Sequence, residues 1–75
     1  MIPRELGRMR RADITNLEEL RVGDHYETRD GERDVVSYLI RGRAGRVVGV
    51  EGERERGKLV ELDRIADAWR WERAR

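Results

Sequence analysis

His25 is the single histidine of the chain, and Asp24 and Glu27 are its near neighbours. An imidazole beside two carboxylates is a set that could hold a metal ion or move a proton. It is equally what a solvated strand looks like in a chain with 44% charged residues. Ser37 is the only serine and cysteine is absent. No base stands near Ser37 in sequence and its surroundings are the most apolar of the chain, so it reads as a hydroxyl bonded to backbone rather than a nucleophile. Adjacent acids such as Glu18 and Glu19 are unavoidable at this charge density. Gly42-Arg43-Ala44-Gly45 lacks the spacing of a phosphate cradle, and no helix follows it. Without cysteine there is no thiolate metal site and no disulfide. The residues therefore predict a non-enzymatic protein with no catalytic group, no cofactor and no metal.

What remains is contact chemistry. Arg41, Arg43 and Arg46 crowd one short segment, where they can embrace a phosphate backbone or an acidic protein surface, or simply keep a loop solvated. Trp69 and Trp71 alternate with Arg70, Glu72 and Arg73. Aromatics among arginines are common on binding surfaces. In a chain without phenylalanine, tryptophan must also fill the core. The expectation is a buried Trp69 and a partly exposed Trp71. Arg41, Arg43, Arg46, Trp71 and Arg73 are the candidate binding residues, on the expectation that the last strand returns beside an early one and brings them together.

The elements that must position them centre on Val35–Ile40 and Val47–Val50. These runs are rich in β-branched and aromatic residues, and the six residues between them, Arg41 to Arg46, suit a hairpin loop. Strict alternation places Val36, Tyr38 and Ile40 on one face, and Val48 and Val50 on one face of the partner, as the heart of the core. Gly49 is a candidate bulge. Before this hairpin, Thr15 or Asn16 caps a helical turn within 13–21, and Glu18 completes a capping-box spacing with Thr15. A first strand is predicted near His25–Arg29, and Asp30-Gly31 signals a tight turn. After the hairpin, a charged loop over 51–56 precedes a strand over Lys58–Leu62. The last stretch reads either as a helix, with Leu62, Ile65, Ala66 and Trp69 on one side, or, the better fit, as a turn over Asp63–Asp67 and a strand over Ala68–Arg73.

Five short curved strands closing on themselves resemble an SH3-like small barrel. The points of resemblance are Leu20-Arg21-Val22-Gly23-Asp24 ahead of the first strand and the short Asp63–Asp67 turn ahead of the last. Short arginine-rich proteins of actinobacteria and their phages are similar in this respect. The resemblance implies a mainly β fold and carries over no functional residue.

Residues 1–11 carry a net charge of +3, residues 12–34 a net of −5 and residues 35–50 a net of +3. With Pro3 and Gly7 in it, the first block reads as a basic N-terminal arm, leaving 12–75 as a single small β domain. At 75 residues and 37% hydrophobic the core is lean, which favours a chain that covers a partner's surface or its own copy. No apolar run is long enough to span a bilayer, and the start has no signal-peptide core, so a cytoplasmic setting is expected. Another protein is the leading partner class, because a net charge of +1 is weak for non-specific nucleic-acid binding. A nucleic-acid-binding barrel and a self-assembling homo-oligomer are the rival readings.

Overall fold

A computed structural model describes residues 8–74. Six strands form one antiparallel sheet: β1 (Met9–Asp13), β2 (His25–Thr28), β3 (Arg33–Arg41), β4 (Val47–Gly52), β5 (Val60–Glu61) and β6 (Ile65–Arg73). Their spatial order is β1-β6-β2-β3-β4-β5, so β1 and β5 are free edges and the sheet does not close. Short 3-10 turns lie at Leu17–Glu19, Arg43–Gly45 and Leu62–Arg64, and the described residues include no α-helix. The fold is thus mainly β, with six strands where five were expected and an open sheet in place of a closed barrel.

The extra strand is β1. Met9 to Arg11 fall within the segment expected to be an arm, yet they pair with β6 in the register Met9↔Arg73 and Arg11↔Trp71. A strand needs only free backbone donors and acceptors beside it, and the edge of β6 offers them regardless of the arginines on β1. Residues 1–7 lie outside the described residues.

Two irregularities in the β3–β4 pairing set which of their side chains face inward. Val36 pairs with Gly52, but Tyr38 pairs with Glu51, so Ser37 is an extra residue in β3, and its hydroxyl donates to the Glu51 carbonyl at 3.0 Å. Ile40 pairs with Gly49 and Arg41 with Val47, so Val48 is an extra residue in β4, next to the predicted position Gly49. A bulge reverses the alternation beyond it. Val36 and Val50 are accordingly fully buried, while Tyr38 and Val48 are exposed and Ile40 is only half-buried. The expected core of Val36, Tyr38, Ile40, Val48 and Val50 is corrected in three of its members for this one reason.

The core joins Leu20, Tyr26, Val36, Val50, Ile65 and Ala68, with Ile14, Leu17, Leu39, Val60 and Leu62 packed against it. Burying side chains such as Val36 and Val50 contributes about 1.5–3 kcal/mol each. The first and last 3-10 turns supply Leu17 and Leu62 and lie against β4. Asn16, not Thr15, caps the first turn, its side chain accepting from the Glu18 amide at 3.1 Å. At the β2–β3 connection the Gly31 amide donates to the Thr28 carbonyl at 2.9 Å and the Thr28 amide to the Glu32 carbonyl at 2.8 Å. Gly31 has φ +86°, the left-handed conformation that closes this three-residue loop. The last 3-10 turn occupies Leu62–Arg64 and β6 starts at Ile65, a shorter turn and a longer strand than expected; β5 keeps only Val60–Glu61.

Candidate functional site

Trp69 and Trp71 sit two residues apart on β6 and so project from the same face of the sheet. Ala68, between Trp69 and Asp67, belongs to the core. The tryptophans therefore occupy the opposite, outer face. The register Asp13↔Trp69↔His25↔Val35 carries that face across β1, β6, β2 and β3. It assembles a polar and aromatic surface from four strands that are scattered in sequence.

Trp69 is buried there without joining the core. The His25 ring stacks on it with centroids 5.6 Å apart and planes 10° from parallel. The Arg11 guanidinium carbon lies 4.2 Å from the Trp69 ring centroid. Arg11 is held by Asp13 at 2.9 Å and Asp67 at 2.5 Å, and these two hydrogen bonds, Asp13 first, reinforce its positive charge. A cation over an indole face and a ring stacked upon it both fix the indole geometrically.

Trp71, by contrast, is 50% exposed. Beside it is a hollow of about 420 Å³ walled by Trp69, His25, Val35, Arg33, Glu53 and Arg54. Arg33 bridges to Glu27 at 2.7 Å. Arg73 follows Trp71 by two residues, on the same face, opposite Met9. This surface offers one open indole, an imidazole, a valine and charges of both signs. It can bury an apolar side chain and satisfy polar groups around it.

The hairpin-tip arginines are not among the walls of this hollow. Arg41 donates to the Gly45 carbonyl at 2.7 Å, within its own loop. Arg46 lies 3.8 Å from Glu18. Arg43 is exposed in the loop at the end of β3. The structure thus divides the expected cluster: Trp71 and Arg73 share the outer face, and Arg41, Arg43 and Arg46 serve the β3–β4 loop. Burial of Trp69 and exposure of Trp71 agree with the expectation from sequence, although Trp69 is covered by Arg11 and His25 and not by the apolar core.

Sequence reasoning missed Arg11, Val35, Arg33 and Arg54 at this surface. The signal for His25 was its strand position, which carries meaning only once β2 is known to lie beside β6. Elsewhere, Asp24 is buried and accepts from the Arg21 amide at 2.8 Å and from Arg70 Nη2 at 2.9 Å. Arg70 also donates to the Glu19 carbonyl at 3.2 Å, clamping the 14–24 segment onto β6. Among the described residues no three histidine, aspartate or glutamate side chains converge to hold a metal ion, and no helix is long and apolar enough to cross a membrane. No family model matches the chain, and neither does any curated protein or solved structure.

Proposed function

We propose that the protein is a small non-enzymatic binding module that works through protein–protein contacts made by its tryptophan face. The observation that carries this reading is the half-exposed Trp71 beside a Trp69 already fixed between Arg11 and His25. An aromatic side chain on a rigid strand loses little freedom on binding, and tryptophan and arginine are where contact energy concentrates. The mixed charges around the hollow and the net charge of +1 favour a protein over a polyanion.

The SH3-like reading of the fold is part of this proposal. Its support is the order β6-β2-β3-β4-β5, with a 3-10 turn at Leu62–Arg64 leading into β6. In that reading β1 is an addition on the outer side of β6.

The test compares the wild-type protein with Trp71→Ala and Arg43→Ala as immobilised baits in extract with and without nuclease. A protein retained by wild type and Arg43→Ala and lost with a folded Trp71→Ala supports the assignment. Retention that disappears on nuclease treatment transfers the surface to nucleic acid. A molecular mass that doubles with concentration and reverts in Trp71→Ala transfers it to a second copy of the chain.

A further inference from the structure

A second hollow, of about 430 Å³, lies between the β2–β3 turn and the β4–β5 loop. Tyr26, Asp34 and Gly52 meet there. Tyr26 is only 2% exposed, and its hydroxyl takes no hydrogen bond from any described residue while lining the hollow. A Cβ at Gly52 would fall 2.5 Å from the Tyr26 oxygen and collide with the Asp34 carboxylate, so both oxygens crowd the space that glycine leaves free. Asp34 is fixed by backbone donors, Val35 N–H at 2.7 Å and Arg54 N–H at 3.1 Å.

Three carboxylates line the hollow with this hydroxyl, those of Glu32, Asp34 and Glu55. Burial pushes the Tyr26 hydroxyl up to about 12, and Asp34, Glu55 and Glu32 push in the same direction. Two arginines also line the hollow: Arg33, which bridges to Glu27 at 2.7 Å, and Arg54, whose backbone amide donates to Asp34; Lys58 bridges to Glu55 at 2.9 Å. A phenol oxygen without a partner and a rigid carboxylate, where three carboxylates outnumber the two arginines of the lining, form a receptor for a cationic donor.

We propose that this hollow receives a guanidinium group, the side chain of an arginine presented by another polypeptide. A planar fork of N–H donors can reach the Asp34 carboxylate and the Tyr26 oxygen together, with the Glu32 carboxylate on the wall, which a compact ammonium cannot match as well. The volume suits a side chain and not a folded element. This hollow shares Arg33, Asp34 and Arg54 with the one beside Trp71, whereas Tyr26 and Gly52 line it alone, so Tyr26→Phe tells the two apart.

The experiment is a nuclear magnetic resonance titration of the isotope-labelled full chain with N-acetyl-arginine amide. The expected result is saturable shifts of the Val35 and Arg54 amides, the two that donate to Asp34. Tyr26→Phe keeps the ring and weakens the affinity about fivefold, the loss of one hydrogen bond. Lys58→Ala, at an exposed position, removes a repelling charge and strengthens it. N-acetyl-citrulline amide, the neutral isostere, leaves the amides unmoved. The proposal is overturned by the absence of saturable shifts, by equal shifts with the citrulline compound, or by an affinity indifferent to both substitutions. If the same amides shift with protein concentration alone and the mass doubles, the arginine belongs to a second copy; if they do not, it belongs to a different protein. Either result keeps the site.

Discussion

His25 and Trp69 stand directly opposite each other on β2 and β6, their rings stacked at 5.6 Å on the face of the sheet that turns away from the core. The contact makes Trp69 a structural residue without making it a core residue. Substituting its two coverings should therefore be felt: His25→Ala is expected to cost about 0.5–1.5 kcal/mol in a denaturant titration, the value of one aromatic pair. Trp69→Ala should cost about 3 kcal/mol or more, and Trp71→Ala, at a half-exposed position, less than about 1 kcal/mol. Equal losses for the two tryptophans would contradict the placement described above.

The Ser37 bulge makes an opposite pair of predictions on β3. Leu39→Ala should destabilise by about 2 kcal/mol, because Leu39 packs against the core. Tyr38→Ala, at 63% exposure, should change stability by about 0.5 kcal/mol or less. Without the bulge the ranking would be reversed, so chemical denaturation of the two variants decides the register.

Deleting residues 1–13 removes β1 and with it the Arg11 guanidinium over Trp69. The expected outcome is a melting temperature lower by roughly 5–10 °C, corresponding to about 1–2 kcal/mol in a domain of this size. A red shift of tryptophan emission should accompany it as the indole meets water. An unchanged melting temperature would show that the strand contributes nothing.

Tyr26 gives a pH dependence. Its hydroxyl is raised from the ordinary 10.0 to about 12, first by burial and then by Asp34, Glu55 and Glu32. The unfolded chain loses this proton near pH 10 while the folded chain keeps it, so the unfolded state binds fewer protons in between. Stability from this group is whole below pH 10 and falls as the pH rises towards 12. The loss should be about 1–2 kcal/mol, less than the full shift implies because the hydroxyl opens on a surface hollow. Tyrosine absorbance and unfolding curves across this range, compared with Tyr26→Phe, measure it.

Much of this architecture was legible in the residues. Val35–Ile40 and Val47–Val50 announced the central hairpin, Asp30-Gly31 the turn before it, and Asn16 the cap of the first 3-10 turn. The inward faces beyond Ser37 were not legible, because a single inserted residue reverses every side chain after it and nothing in Val-Ser-Tyr marks the insertion. β1 was hidden for a different reason. Met-Arg-Arg-Ala-Asp has no apolar alternation; its stabilisation comes from backbone pairing and from Arg11 lying on an indole 58 positions away. The candidate site followed the same pattern. Trp71 and Arg73 could be nominated locally, whereas the departure of Arg41, Arg43 and Arg46 from that face depends on the length and path of β3.

The order β1-β6-β2 has a consequence for biosynthesis. The ribosome makes β1 and β2 early, yet the strand that lies between them, Ile65–Arg73, is the last of the six to emerge. Until then β1 has no neighbour in the sheet and β2 only β3, and His25 and Arg11 have no indole to enclose. Completion of the sheet therefore waits for the last of its strands, with the long-range closure that slows β proteins. A nascent chain stalled ahead of Ile65 should already hold the β3–β4 hairpin and remain sensitive to protease at Met9–Asp13.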